Sequence, residues 1–262
     1  MCDQKCEKAQ ALGAAWRAAM AGTSPVERAR AKERAALEWL WRWGWSTATT
    51  TDLAVSKRRG VAKRLADRRL TNSHESPGAA FKYYPRTCIV LSKEGYDLVS
   101  EWRDTAGMKH CTGENIAWHQ LRHDHIVQVW TAQQLARGAI VDYVTPREMF
   151  VQSAIGVKQP DALWVLEDGS KTAVELELTP KKPREQHAMV SRLTAKLERR
   201  AFDHVLLLTR SAATARAFAR LIAPGARRPQ WLRLPDRHYI PTATDDVAPD
   251  WLESRITIEV LP

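Results

Sequence analysis

Between Pro160 and Pro183 the chain leaves little room for anything but a β-hairpin running into a helix. Glu167-Asp168-Gly169-Ser170 separates one apolar run, Ala162 to Leu166, from a second in which Val174, Leu176 and Leu178 alternate with Glu175 and Glu177. An Asp-Gly pair between such runs is the strongest short-range hairpin signal. Because side chains alternate along a strand, the three apolar residues share one face and the two glutamates the other. The partner strand brings Asp161 to the same place. Carboxylates crowded together repel unless a cation sits among them, and oxygen donors suit Mg or Mn.

The rest of the composition points to a nucleic-acid partner. The chain has 262 residues, enough for two modest domains with their own cores, and carries a net charge of +10 with a pI of about 9.7. That charge favours an acidic polymer, DNA first among them. No apolar run is long enough for a membrane span, and Arg17 interrupts the alanine-rich start, so a cytoplasmic protein is expected. Cys2, Cys6, Cys88 and Cys111 lack the paired spacing of zinc modules and read as reduced thiols.

Three regions are expected: a helical arm over 1–24, a DNA-binding domain over 25–104 and a catalytic domain over 105–262. Ser24 and Pro25 open a helix that Gly44 stops near Trp43. The tryptophans at 39, 41, 43 and 45 cannot share one helix face, so most are read as core and one or two as meeting a partner. A short capped helix around Thr51 follows, then a basic helix through Val61 and Leu65. It leaves Lys57, Arg58, Arg59, Lys63, Arg64, Arg68 and Arg69 for solvent or phosphate. A loop at Pro77-Gly78 and a strand over 81–91 would add Lys82 and Arg86 on a wing, and a helix through Tyr96 closes the unit. Three helices and a two-stranded wing make a winged helix-turn-helix that docks on double-stranded DNA. A solvated charged face is the plainer account of the basic helix.

Beyond a polar connection over 105–115, Asn115 is expected to cap a helix over 116–136. A strand over 139–144 and a helix start at Thr145 follow, then the hairpin, a helix over 184–200, a buried strand over 203–209 and a helix over 213–222. A Pro- and Arg-rich tail ends in an edge strand over 255–261. This order is an α/β (α+β) arrangement with a mixed sheet. It resembles restriction-endonuclease-like cores, whose signature is PD...(D/E)xK. Here Pro160-Asp161 and Glu175-Leu176-Glu177 fill the pattern, with Glu177 where lysine is usual, as in ExE variants. Lys181 or Lys182 could supply a displaced cation. The stretches KQPDALWVL and AVELELTPKK, after a winged helix, resemble the replication-relaxation family and the related MobC-type plasmid mobilisation relaxases.

That resemblance implies a nickase or relaxase acting at a plasmid origin of transfer or replication, with other mobilisation or relaxosome proteins as partners. Some relatives only bind DNA, so a non-catalytic accessory or regulatory protein is the alternative. Asp161 and Glu175 would hold Mg or Mn, and Glu177 would bind the ion or orient water. An exposed polar hairpin face is the plainer account of these acids.

His119, His123 and His125 invite a zinc reading. In a helix, residues two apart differ by roughly 200°, so His123 and His125 cannot share an ion, whereas His119 and His123 could. His123 or His125 could instead stand beside the phosphate as proton donor or ligand. Glu148 is a fourth candidate acid, with an ordinary helix-start role as its plainer account. None of Tyr83, Tyr84, Tyr96, Tyr143 and Tyr239 has an activating neighbour in sequence, which favours water over a tyrosyl intermediate.

Overall fold

The computed structural model describes residues 23–262 apart from 57–58, 79–83, 105–106, 153–157 and 236–237. The arm up to residue 22, with Cys2 and Cys6, lies outside the described residues, as do Lys57, Arg58, Lys82 and Tyr83. The fold is mixed α/β: N-terminal helices with a β-hairpin, then a five-strand mixed sheet with helices.

Helix α1 (Pro25–Trp43) starts at Ser24, whose hydroxyl accepts from the Glu27 amide at 3.1 Å while the Glu27 carboxylate accepts from the Ser24 amide at 2.7 Å. This reciprocal cap satisfies two otherwise orphaned donors. The helix stops at Gly44, in a positive-φ conformation with the Arg147 guanidinium so close that any Cβ would overlap it. Helix α2 (Ala48–Val55) and α3 (Val61–Asp67) follow. Buried Asp52 in α2 accepts from the amides of Gly60 and Ala62 at 2.7 and 2.8 Å, which fixes the start of α3 against α2. Strands β1 (Thr71–Glu75) and β2 (Thr87–Leu91) pair antiparallel, and α4 (Lys93–Ser100) closes the segment.

After a 3-10 turn at Gly113–Asn115 come α5 (Leu121–Arg137), β3 (Asp142–Val144), α6 (Pro146–Gln152), β4 (Ala162–Val165) and β5 (Lys171–Glu177). Helix α7 (Pro183–Glu198), β6 (His204–Thr209), α8 (Ala212–Ile222), β7 (Arg227–Arg233), β8 (Tyr239–Val247), α9 (Leu252–Arg255) and β9 (Ile256–Val260) complete the chain. The sheet order is β3-β4-β5-β6-β9, with the first two pairings antiparallel and the last two parallel, so β5 is central. Strands β7 and β8 form a separate hairpin.

Both sheet faces are covered. Val174, Leu176, Leu206 and Leu208 pack with residues of α1 and α5, including Trp39, Trp43 and Val127. Ala173, Val205 and Leu207 pack on the other side against Met189, Val190 and Leu193 of α7, Phe218 of α8 and Leu252 of α9. One core therefore runs from the N-terminal helices into the sheet, across the boundary expected near residue 104. Buried Arg42 of α1 reinforces it, pairing with Asp142 at 2.7 Å and Glu148 at 2.9 Å and lying 3.9 Å over the Tyr143 ring.

Several elements differ from the expectation. All four tryptophans from 39 to 45 are buried: Trp39, Trp41 and Trp43 in the core that α1 shares with the sheet, Trp45 against Cys88, Val90, Ile116 and Leu121. Helix α5 begins at Leu121 rather than 116: Asn115 is spent on a capping box with Thr112, and 118–120 form a turn. Strand β3 is three residues long, β2 starts at Thr87, and the tail holds the β7-β8 hairpin. Strand β1, which has the sequence character of a loop, is the partner of β2.

Candidate functional site

The β4-β5 hairpin forms as its turn residues dictate. The Leu166 amide donates to the Ser170 carbonyl at 2.9 Å, and Gly169 takes the positive φ that the turn requires. Ladder pairing with β5 ends at Ala162 opposite Val174, and the Asp161 amide donates to the Val174 carbonyl at 2.9 Å. Beyond that point the backbone of Leu176 has no strand partner on this side. Its amide donates to Asp161 Oδ2 at 2.7 Å, and its carbonyl lies 3.2 Å from His123 Nε2. The end of one strand thus creates the place where an acid side chain and a histidine converge.

His123 Nε2 also lies 3.3 Å from Asp161 Oδ2, and Nδ1 lies 3.2 Å from Asp124 Oδ1. Burial alone would push this imidazole's pKa down. Its bonds to Asp124 and Asp161 prevail and raise it to about 10, so at neutral pH the ring is a cation lying between the Asp161 carboxylate and the Leu176 carbonyl.

The two glutamates are buried, not displayed on an open hairpin face: Glu175 is 2% exposed and Glu177 5%. Burial, then the charge on Asp161, push the Glu175 carboxyl above its ordinary pKa, against the pull of Lys158 and Arg192. Lys158 Nζ stands 3.1 Å from Glu175 Oε2 and Lys181 Nζ 2.9 Å from Glu177 Oε2. Lys196 lies nearby, donating to the Lys158 carbonyl at 2.8 Å. Asp161, Glu177, His119, His123, Lys158 and Lys181 all line a cleft of about 990 Å³, which Lys109, Arg147 and Phe150 also line. Glu175 does not line it directly; its partner Lys158 does.

Of the residues read from sequence, Asp161, Glu175, Glu177, Lys181 and His123 are thus brought to one end of the sheet. His125 is not: it is absent from the cleft lining, burial lowers its pKa, and its Nδ1 is buried without a hydrogen-bond partner. Glu148 is not either, since its carboxylate accepts from Arg42 Nε at 2.9 Å and from the Thr145 amide at 2.8 Å, the helix-start role. His119 lies in the turn before α5, so the helical spacing that would have joined it to His123 is lost. Among the described residues no tyrosine lines the cleft: Tyr143 is enclosed among Trp39, Trp43 and Arg42, and the Tyr96 hydroxyl donates to the Met108 carbonyl at 2.7 Å. Lys158 and Lys196 join the site as well; Lys158 opens the KQPDALWVL stretch, three residues before Asp161, but nothing in that stretch marks it as the partner of Glu175.

Among the described residues no three His, Cys, Asp or Glu side chains converge in a ready-made metal cage. The donor chemistry nevertheless suits Mg or Mn. Asp161, Glu175 and the Leu176 carbonyl offer oxygen, and cationic side chains stand against the two carboxylates.

On the basic surface, Arg59, Lys63, Arg64, Arg68, Arg69 and Arg86 are exposed, while Val61, Ala62 and Leu65 of α3 are buried. Lys63 pairs with Asp67 at 3.0 Å, and Arg64 and Arg68 both reach Glu33 of α1, at 3.1 and 2.5 Å. Arg59, Arg69 and Arg86 form no ion pair among the described residues. No helix of the described chain is long and apolar enough to cross a membrane. No family model, curated protein or solved structure matches the chain.

Proposed function

We propose that the protein binds double-stranded DNA and nicks one strand with Mg or Mn held by Asp161 and Glu175. The observation that carries the reading is the pairing of Asp161, pinned by the Leu176 amide, with Glu175 buried on the central strand beside it, at the edge of a cleft rich in lysine and histidine. Burial and the neighbouring charge of Asp161 push the Glu175 carboxyl up, and an acid perturbed in this way beside a cleft is a functional-site candidate. In this reading α5, β3, β4, β5, α7 and β6 form a restriction-endonuclease-like core, and α1 to α4 with β1 and β2 form a winged helix-turn-helix with α3 toward DNA. A bound divalent ion would supply an activated water and neutralise charge building on the phosphate.

The chain's own residues supply the rest. The Leu176 amide orients Asp161, Lys158 and Lys181 offer positive charge to the phosphates, and His123 places a donor beside Asp161, suited to protonating the leaving oxygen. Action at a plasmid origin of transfer or replication, with mobilisation partners in a cytoplasmic setting, extends the reading on the resemblance carried by a winged helix followed by KQPDALWVL and AVELELTPKK.

Incubating supercoiled plasmid with the protein tests this. Open circles should form with Mn and not without it, and not with Asp161→Asn. One observation favours the second reading, a non-catalytic DNA-binding protein: each of the three acids already has a cationic partner. DNA that is bound but stays supercoiled at every metal concentration would establish that reading instead.

A further inference from the structure

We propose that the site exchanges cations on binding substrate: the lysines that neutralise its acids in the free protein move to the phosphates of DNA, so that DNA and the divalent ion bind with positive coupling. This rests on the metal-dependent reading above and adds how the site is kept closed to metal until substrate arrives.

The argument begins with unequal burial across each pair. The Lys158 side chain is 46% exposed while that of Glu175 is 3% exposed; for Lys181 and Glu177 the values are 28% and 6%. A carboxylate so deeply buried cannot be left without a counter-charge, since removing one partner of a buried pair is strongly unfavourable. The lysines, by contrast, extend from the cleft and can return to water. Their backbones are anchored independently, Lys158 through its carbonyl to Lys196 at 2.8 Å and Lys181 through its carbonyl to Gln186 at 3.1 Å, so the side chains can swing without unseating the chain.

A divalent ion and Lys158 compete for the same Glu175 oxygen. In the free protein, metal entry must expel the ammonium into solvent. When a phosphate lies in the cleft, the ammonium has an anion to go to, and the acid it leaves becomes available to the metal. Each ligand thereby removes a cost borne by the other, and the linkage is reciprocal.

Calorimetry with Ca2+, which takes the same oxygen donors, reads this without any cleavage. Titrations are run on the full-length protein with and without a short duplex, and Asp161→Asn with the same duplex serves as the blank for ions held by DNA alone. Wild-type affinity for Ca2+ should rise by about tenfold when duplex is present, within the usual range of coupling. Lys158→Met, which keeps the stem and removes the charge, should bind Ca2+ about tenfold tighter than wild type without DNA and gain little more from it. An unchanged wild-type affinity on adding duplex overturns the proposal whatever the lysine variant does, and it does so even if that variant fails to fold. Asp161-dependent Ca2+ binding without coupling would leave the nuclease reading standing. No Asp161-dependent binding in either state would remove both.

Discussion

The chain uses the same chemistry, cation against carboxylate, in two regions with opposite consequences. At α3 the cations are open to solvent: Lys63–Asp67 has side chains 78% and 60% exposed, and Arg64 and Arg68, 44% and 56% exposed, share a Glu33 that is itself 13% exposed. Around β5, and where Arg42 meets the sheet, at least one partner is nearly sealed. Exposed pairs contribute about 0–1 kcal/mol and are screened by salt, so phosphates can take over such cations at little cost. Breaking a buried pair by deleting one partner costs about 3–5 kcal/mol. In the proposed reading the first region docks on DNA, whereas the second keeps its charges matched at every step.

The largest expected effect lies at the buried acids. Glu175→Gln should reduce Mn-dependent nicking by at least about a hundredfold, the scale of removing a group that acts on the transition state, while a filter-binding assay shows DNA affinity nearly unchanged. Equal losses of both would mean that the acid is structural and the contrast between the regions is wrong.

Next comes Arg42→Ala, which leaves the Glu148 carboxylate only the Thr145 amide beside buried Tyr143 and removes the ion pairs between α1 and the sheet region. Urea denaturation should show a loss of about 3–5 kcal/mol. A loss below about 1 kcal/mol would place this pair with the exposed class.

Replacing Arg59, Lys63 and Arg64 together by alanine should weaken DNA binding and flatten its salt dependence. The log-log slope falls by about 0.9 for every phosphate that is no longer neutralised. An unchanged slope would show that α3 does not face DNA.

The smallest effect separates the regions most finely. Glu33→Ala frees Arg64 and Arg68 from their intramolecular partner, so stability should change by less than about 1 kcal/mol while affinity for duplex rises slightly. Weaker binding would mean that Glu33 is needed to position the arginines.

What can be read in the sequence is whatever depends on local pattern. The Asp168-Gly169 turn and the alternation after Val174 specify the β4-β5 hairpin and put Asp161 beside its partner strand, as found. The inward positions Val61, Ala62 and Leu65 of α3 follow from helical period. Strand β1 is hidden because Thr71-Asn72-Ser73-His74-Glu75 has no apolar alternation; it is held by pairing with β2. The β7-β8 hairpin is masked by Pro229 and Pro241, which lie beside a break in register. Glu148 and Lys158 show the same limit at the site. One is drawn away by Arg42, more than a hundred residues earlier, and the other is brought in by a buried glutamate across the hairpin. Neither pairing leaves a trace in local spacing.

The most direct test of the central claim is where a divalent ion settles. Crystals of the protein with a short duplex, soaked in Mn and measured for anomalous scattering, should show a peak in contact with Asp161 and Glu175, with Lys158 moved off the glutamate. A peak at His119 or elsewhere in the cleft, or no protein-bound peak at saturating Mn, would contradict it.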